Sequence, residues 1–241
     1  MKLSFLAGLA ALAAWALIWI APRLYEHFEL AAWGYAVKGV DVSHYQGSID
    51  WQALRAGGVR FAYIKATEGA HFRDPRFAEN WRGSMDAGIP RGAYHFFSLC
   101  KPGVEQAANF IATIPAGDPS LPHALDAEQM EACPNGQAVA DPVAEIMVFL
   151  DAVEKHFGSR PLVYTTREFH DTHFSSHGQL RERLGNERFW LRSLHWMPQF
   201  GRRPWILWQY HNRGRRPGID GAVDLNAFNG SAAEFEKFAS P

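Results

Sequence analysis

Residues 123–128 read His-Ala-Leu-Asp-Ala-Glu, residues 142–157 read Pro-Val-Ala-Glu-Ile-Met-Val-Phe-Leu-Asp-Ala-Val-Glu-Lys-His-Phe, and residues 162–165 read Leu-Val-Tyr-Thr. In the middle segment Val143, Ile146, Met147, Leu150, Val153 and Phe157 recur mostly every three or four positions and so share one helix face. Pro142 suits the first turn of that helix and Gly158 its end. Short β-rich runs on either side of a helix predict a βαβ unit, and with it a parallel sheet.

Working outward, the same alternation recurs. Strands are expected at Gly39–Ser43, Phe61–Thr67, Gly92–Phe97, His123–Glu128, Leu162–Thr165, Phe189–Leu194, Ile206–Tyr210 and Gly221–Asn226. Helices are expected at Trp51–Ala56, Pro75–Ala87, Gly103–Ile114 and Pro142–Phe157. Eight strands with βα alternation suggest an α/β fold closed into a TIM-like barrel. The last three strands leave little room for helices, so the barrel is irregular: about five βα units followed by three β-strands.

The chain has 241 residues, enough for one large domain, and its 47% hydrophobic and 20% charged content is that of a globular protein. A net charge of −1 supplies no field toward nucleic acid. The N-terminus carries an apolar run from Leu3 to Ala21 without a charge, long enough to cross a bilayer as a helix. Residues 1–21 read as a transmembrane anchor or signal segment, with the uncleaved anchor favoured because Trp15 to Ile20 fit poorly after a cleavage site. Residues 22–37 read as a linker and 38–241 as the exported domain, facing the periplasm or cell exterior or secreted. Two cysteines, Cys100 and Cys133, then invite a disulfide. They follow the third and fourth expected strands, whose loops lie at one end of a barrel.

Barrel active sites lie at the C-terminal ends of the strands. Acids stand there on three strands: Asp41, the pair Asp126 and Glu128, and Asp224. Side chains alternate across a strand, so Asp126 and Glu128 face the same side. Two carboxylates on one face raise one another's pKa, which is what a general acid needs near neutral pH. Glycosidases use two flanking carboxyl groups. A lone acid at a strand end is often only a cap or a salt-bridge partner; the set is what points to chemistry. No Asp-x-Asp-x-Asp-Gly loop and no His-Glu-x-x-His is present, and His170, His173 and His177 read as a polar surface loop, so neither metal nor cofactor is expected.

Six segments carry a family resemblance: Gly-Val-Asp-Val-Ser-His-Tyr-Gln-Gly (39–47), Ala-Tyr-Ile-Lys-Ala-Thr-Glu-Gly (62–69), Arg-Gly-Ala-Tyr-His-Phe-Phe (91–97), Leu-Asp-Ala-Glu (125–128), Leu-Trp-Gln-Tyr (207–210) and Val-Asp-Leu-Asn (223–226). In this order they resemble glycoside hydrolase family 25, the Chalaropsis-type lysozymes, from Lys38 to Phe238. The resemblance implies an N-acetylmuramidase that cuts the β-1,4 bond between N-acetylmuramic acid and N-acetylglucosamine in peptidoglycan. Glu128 would be the acid/base and Asp126 its partner, with Asp41 and Asp224 lining the same pocket. Tyr94 would face the site too, although core packing is an equal reading. An acid two residues before the proton donor resembles substrate-assisted chitinases, so a retaining, acetamido-assisted route is expected. The sixth strand departs from the pattern: Arg192 and Ser193 stand where the family has Ala and a nearby aromatic.

Further residues are expected around the pocket. Lys65 and Glu68 would form an ion pair at its border or a purely structural one. His95 and Trp208 would pack near the mouth, Trp208 as a sugar platform, and His44 and Tyr45 could serve likewise. The basic loop with Arg213, Arg215 and Arg216 reads as solvated. The enzyme is expected to be monomeric. The alternative function is a catalytically inactive peptidoglycan-binding or membrane-tethered scaffold module.

Overall fold

A computed structural model describes residues 29–129, 132–133, 137–175, 187–194, 196–200 and 205–240, together with Trp15. The elements run β1 (Lys38–Val42), α1 (Trp51–Ala56), β2 (Phe61–Glu68), β3 (Phe72–Arg73), α2 (Phe77–Asp86), β4 (Arg91–Phe96), α3 (Gly103–Ile111), β5 (Ala124–Ala127), α4 (Pro142–Phe157), β6 (Leu162–Thr166), α5 (Arg167–Phe169), β7 (Arg188–Arg192), β8 (Leu207–Gly214), β9 (Val223–Phe228) and α6 (Ala232–Ala239). All eight expected strands are present. The two-residue β3, the short α5 and the closing α6 were not read from the sequence.

The strands close into a barrel in the order β1-β2-β4-β5-β6-β7-β8-β9, with β9 returning to β1 and β3 appended to β2. Pairings from β1 through β8 are parallel; only β9 runs against both its neighbours in the barrel. Helix α4 is built as its sequence reads: Asp141 accepts from the amides of Val143 and Ala144 at one end, and Gly158 ends it in the left-handed region at φ 74°.

Alternation splits each strand between two cores. Val40 and Val42, Ala93 and Phe97, and Leu225 and Ala227 face the helical layer. Phe61, Tyr63, Leu162, Tyr164, Trp190, Leu207 and Phe228 belong to a second cluster that fills the barrel from below. Tyr63 and Tyr164 both lie 4.9 Å from Trp190, ring centre to ring centre. So narrow a cylinder needs positions without side chains. A Cβ on Gly39 would sit 2.6 Å from the Phe61 ring, and one on Gly92 2.6 Å from Tyr63. The aromatic plug closes the lower barrel and leaves the polar residues at the upper strand ends as the floor of a cavity.

Residues 29–37, within the stretch read as a linker, pack on the outside of this barrel. Among the described residues no helix stands between β7 and β8 or between β8 and β9, so the outer face of β8 needs other cover. Tyr35 supplies it, with ring centres 5.8 Å from Trp205 and 5.6 Å from Trp208, and Ala32 is fully buried. Glu29 accepts from Arg216 Nη2 at 2.8 Å and from the Tyr210 hydroxyl at 2.7 Å. Among the described residues no helix is long and apolar enough to cross a membrane. Apart from Trp15, the residues of the apolar N-terminal helix expected within 1–21 lie outside the described residues, as does His177. Cys100 and Cys133 form a disulfide with Cα atoms 5.4 Å apart, closing the loops after β4 and β5 against each other.

Candidate active site

A cavity of about 390 Å³ opens at the C-terminal ends of the parallel strands. All four acids expected there line it: Asp41 from β1, Asp126 and Glu128 from β5 and the residues just after it, and Asp224 from β9. Asp41 and Asp224 are directly paired across the antiparallel β1–β9 ladder. Lys65, Tyr94 and Tyr45 also line the cavity, as expected. Tyr45 is 81% exposed at the rim. It is held there by a short turn in which Ser43 and Gln46 cap each other, and its ring lies 4.1 Å from that of His44. His44 is itself tied down by Asp74, whose Oδ2 lies 2.7 Å from its Nδ1.

The acids are held in different ways. Asp41, which is buried, accepts from Gln209 Nε2 at 2.7 and 2.9 Å and from Asn226 Nδ2 at 3.2 Å. Burial still dominates and pushes its pKa up to about 6. Asp224 is pushed up to about 9, first by burial and then by the neighbouring Asp41 charge. The two carboxyls share a hydrogen bond. With the side-chain amides of Gln209 and Asn226 already donating to Asp41, the proton belongs on Asp224.

Asp126 and Glu128 are both raised, chiefly by burial; the Glu128 charge adds to the effect on Asp126, while Arg192 and Lys65 oppose it at Glu128. A pair of this kind titrates as a unit. Asp126 Oδ1 is buried and has no hydrogen-bond partner in the protein. An acceptor left open in a cavity is a place for a donor on a ligand. Arg192 forms an ion pair with Glu128, with Nη1 3.5 Å from Oε2. No group of His, Cys, Asp and Glu fit to hold a metal is found among the described residues.

Residues 40–219 match the family described as glycosyl hydrolases family 25. The chain belongs to that family. Over 217 residues it is 36% identical to YegX of Escherichia coli K12, covering 85% of this chain and 74% of that protein. Over 219 residues it is 34% identical to Lysozyme M1 of Streptomyces globisporus, covering 85% and 71%. A family 25 glycosyl hydrolase structure from Bacillus anthracis superimposes with a TM-score of 0.74 at 35% identity, covering 85% of this chain and 94% of that one. The chain is thus a glycoside hydrolase of the lysozyme type, a muramidase acting on peptidoglycan.

Three expected site residues of this family 25 hydrolase, His95, Trp208 and Glu68, lie outside the cavity lining. His95 is fully buried on the outer side of β4. Its ring stacks on Phe149 with centres 4.8 Å apart, and its nitrogens meet Thr67 Oγ1 at 2.7 Å and Gln106 Oε1 at 3.1 Å. Trp208 is 1% exposed under Tyr35 and Trp205, with Nε1 donating to the Ser193 carbonyl, and it offers no face to a sugar. The reason is the alternation that joins Asp126 to Glu128. If Tyr94 faces inward its neighbour His95 cannot, and if Gln209 faces inward Trp208 cannot. Glu68 stands outside the cavity lining, with Oε2 2.6 Å from the Lys65 ammonium; the pair borders the pocket through Lys65 alone. Sequence reasoning passed over Tyr164, Trp190, Gln209 and Asn226. The first three line the cavity, and Asn226 holds Asp41 from beneath. Counting by two from Asp224 reaches Asn226, so that signal was present in the sequence.

Proposed function

We propose that this muramidase cuts the β-1,4 bond on the reducing side of N-acetylmuramic acid, with Glu128 as acid/base and with the substrate's own acetamido group as nucleophile. Asp126 carries the reading: it shares a strand face with Glu128, and its Oδ1 is a buried acceptor without a partner. Glu128 gives its proton to the glycosidic oxygen as the bond to the anomeric carbon breaks. The acetamido carbonyl oxygen closes on that carbon, and Asp126 accepts the amide N–H and offsets the positive charge of the ring so formed. Glu128, now a carboxylate, takes a proton from water as that water opens the ring, so configuration is retained. Asp41 and Asp224 hold the floor of the site, and Tyr45 at the rim offers a face to a sugar.

Proton NMR of the first-formed product tests the route: the retained anomer is expected, and the inverted one overturns it. Mass spectrometry showing a muramic acid at the new reducing end checks the bond. Export agrees with the disulfide, since such bonds persist in oxidising compartments. In this reading the apolar run at 3–21 tethers a monomeric barrel to the membrane. Fractionation of cells tests the tether, and sedimentation of the barrel tests the monomer; recovery wholly in the soluble fraction overturns the first.

A further inference from the structure

Among the described residues two cations line the cavity, and they are held very differently. Lys65 is committed: its ammonium is 2.6 Å from Glu68 and lies 4.9 Å from the centre of the Phe96 ring, and the residue is buried. Arg192, on the inward face of β7 across the barrel, has its side chain 32% exposed, and its contact with Glu128 is a single long one at 3.5 Å. A guanidinium held so loosely keeps most of its five donors for something else. The carboxyl groups of the lining are those of Asp41, Asp126, Glu128 and Asp224. A neutral sugar enters such a cavity without penalty. A muramoyl unit does not, since it carries a lactyl group that ends in a carboxylate or in a peptide stem with carboxylates of its own. Like charges brought together in a partly desolvated cleft are costly unless a cation meets the incoming anion.

We infer that Arg192 is the specificity residue that receives a carboxylate of the muramoyl substrate, leaving Glu128 to do so. This rests on the muramidase activity and on the placement of Glu128 given above. The fork of the guanidinium matches a carboxylate with two parallel N–H donors, a geometry the long contact with Glu128 does not achieve. Arg192 is also the foremost cation opposing the proton on Glu128, so drawing it onto the substrate leaves the acid in the form the reaction uses.

Four soluble glycan preparations separate the two sources of carboxylate. One has its stems removed by an amidase and bears free lactyl carboxylates; the second is the same material with those groups coupled to ammonia as amides. The third keeps its stems, and the fourth has the stem carboxylates amidated. The readout is kcat/KM from release of reducing ends. The wild type is expected to lose about tenfold or more on amidation in one of the two pairs, the scale of one charge-assisted hydrogen bond. That pair identifies the lactyl or the stem group. Arg192→Met, which keeps the aliphatic stem, is expected to cut acid and amide alike, and Arg192→Lys to keep part of the preference. Equal wild-type rates within both pairs overturn the assignment and leave the muramidase reading standing, as does a preference that survives in Arg192→Met. Failure of the wild type to cut any of the four overturns both.

Discussion

Replacing Asp41 with Asn should make the enzyme more stable relative to the wild type as pH rises, and the size of the gain can be worked out. Asp41 has an ordinary pKa of 3.8 and is pushed up to about 6 in the folded chain, chiefly by burial. Between those values the folded state binds more protons than the unfolded one, so the stability of the wild type falls as pH rises. A difference of about two units corresponds to roughly 3 kcal/mol, lost between about pH 4 and pH 6 and absent above. Asn has no proton to lose there. It offers one oxygen where Asp41 offers two to Gln209 and Asn226, but that cost does not change with pH. The gap in unfolding free energy, Asp41→Asn minus wild type, should therefore grow by about 3 kcal/mol from pH 4 to pH 7, or roughly 6–12 °C in Tm for a domain of this size. Because Asp224 shares a hydrogen bond with Asp41, the effect belongs to the pair rather than to one residue. Denaturant titrations of both proteins at four pH values measure it. Two stability curves that run parallel across this range would refute the claim that burial holds these acids in tension.

Glu128→Gln should lower kcat/KM on peptidoglycan by a factor of about 10² or more with no loss of Tm, and turnover near that of the wild type would remove Glu128 from its proposed role. Gly92→Ala puts a methyl group 2.6 Å from Tyr63 in the closed barrel and should cost about 1–3 kcal/mol by denaturant unfolding, whereas an exposed Gly→Ala would cost nothing. Changing both Cys100 and Cys133 to Ser opens a loop spanning 33 residues and should lower stability by about 3–4 kcal/mol. Tyr45→Ala at the exposed rim should raise KM severalfold with kcat nearly unchanged; a collapse of kcat alone would place Tyr45 in the chemistry instead.

Much of this protein could be read from local pattern. The period of two on a strand and of 3.6 on a helix are properties of short segments, so the βαβ unit at 123–165, the eight strands and the shared face of Asp126 and Glu128 were all legible in the sequence. The same local rule, carried through every strand, also places Gln209 inward and turns His95 and Trp208 outward. What no local pattern holds is who covers an outward face or meets an inward one. Trp208 is buried because Tyr35, more than 170 positions earlier, lies over it, where no described helix stands between β7 and β8 or between β8 and β9. Gln209 holds Asp41 across 168 positions of chain, and only barrel closure brings them to 2.7 Å. The pKa values of the acids belong to the same class, since burial and the charge of a neighbour exist only once distant strands have met. Residue types and spacing thus determined which side chains could reach the cavity; closure of the cylinder decided how far water is excluded from them and which proton each one keeps.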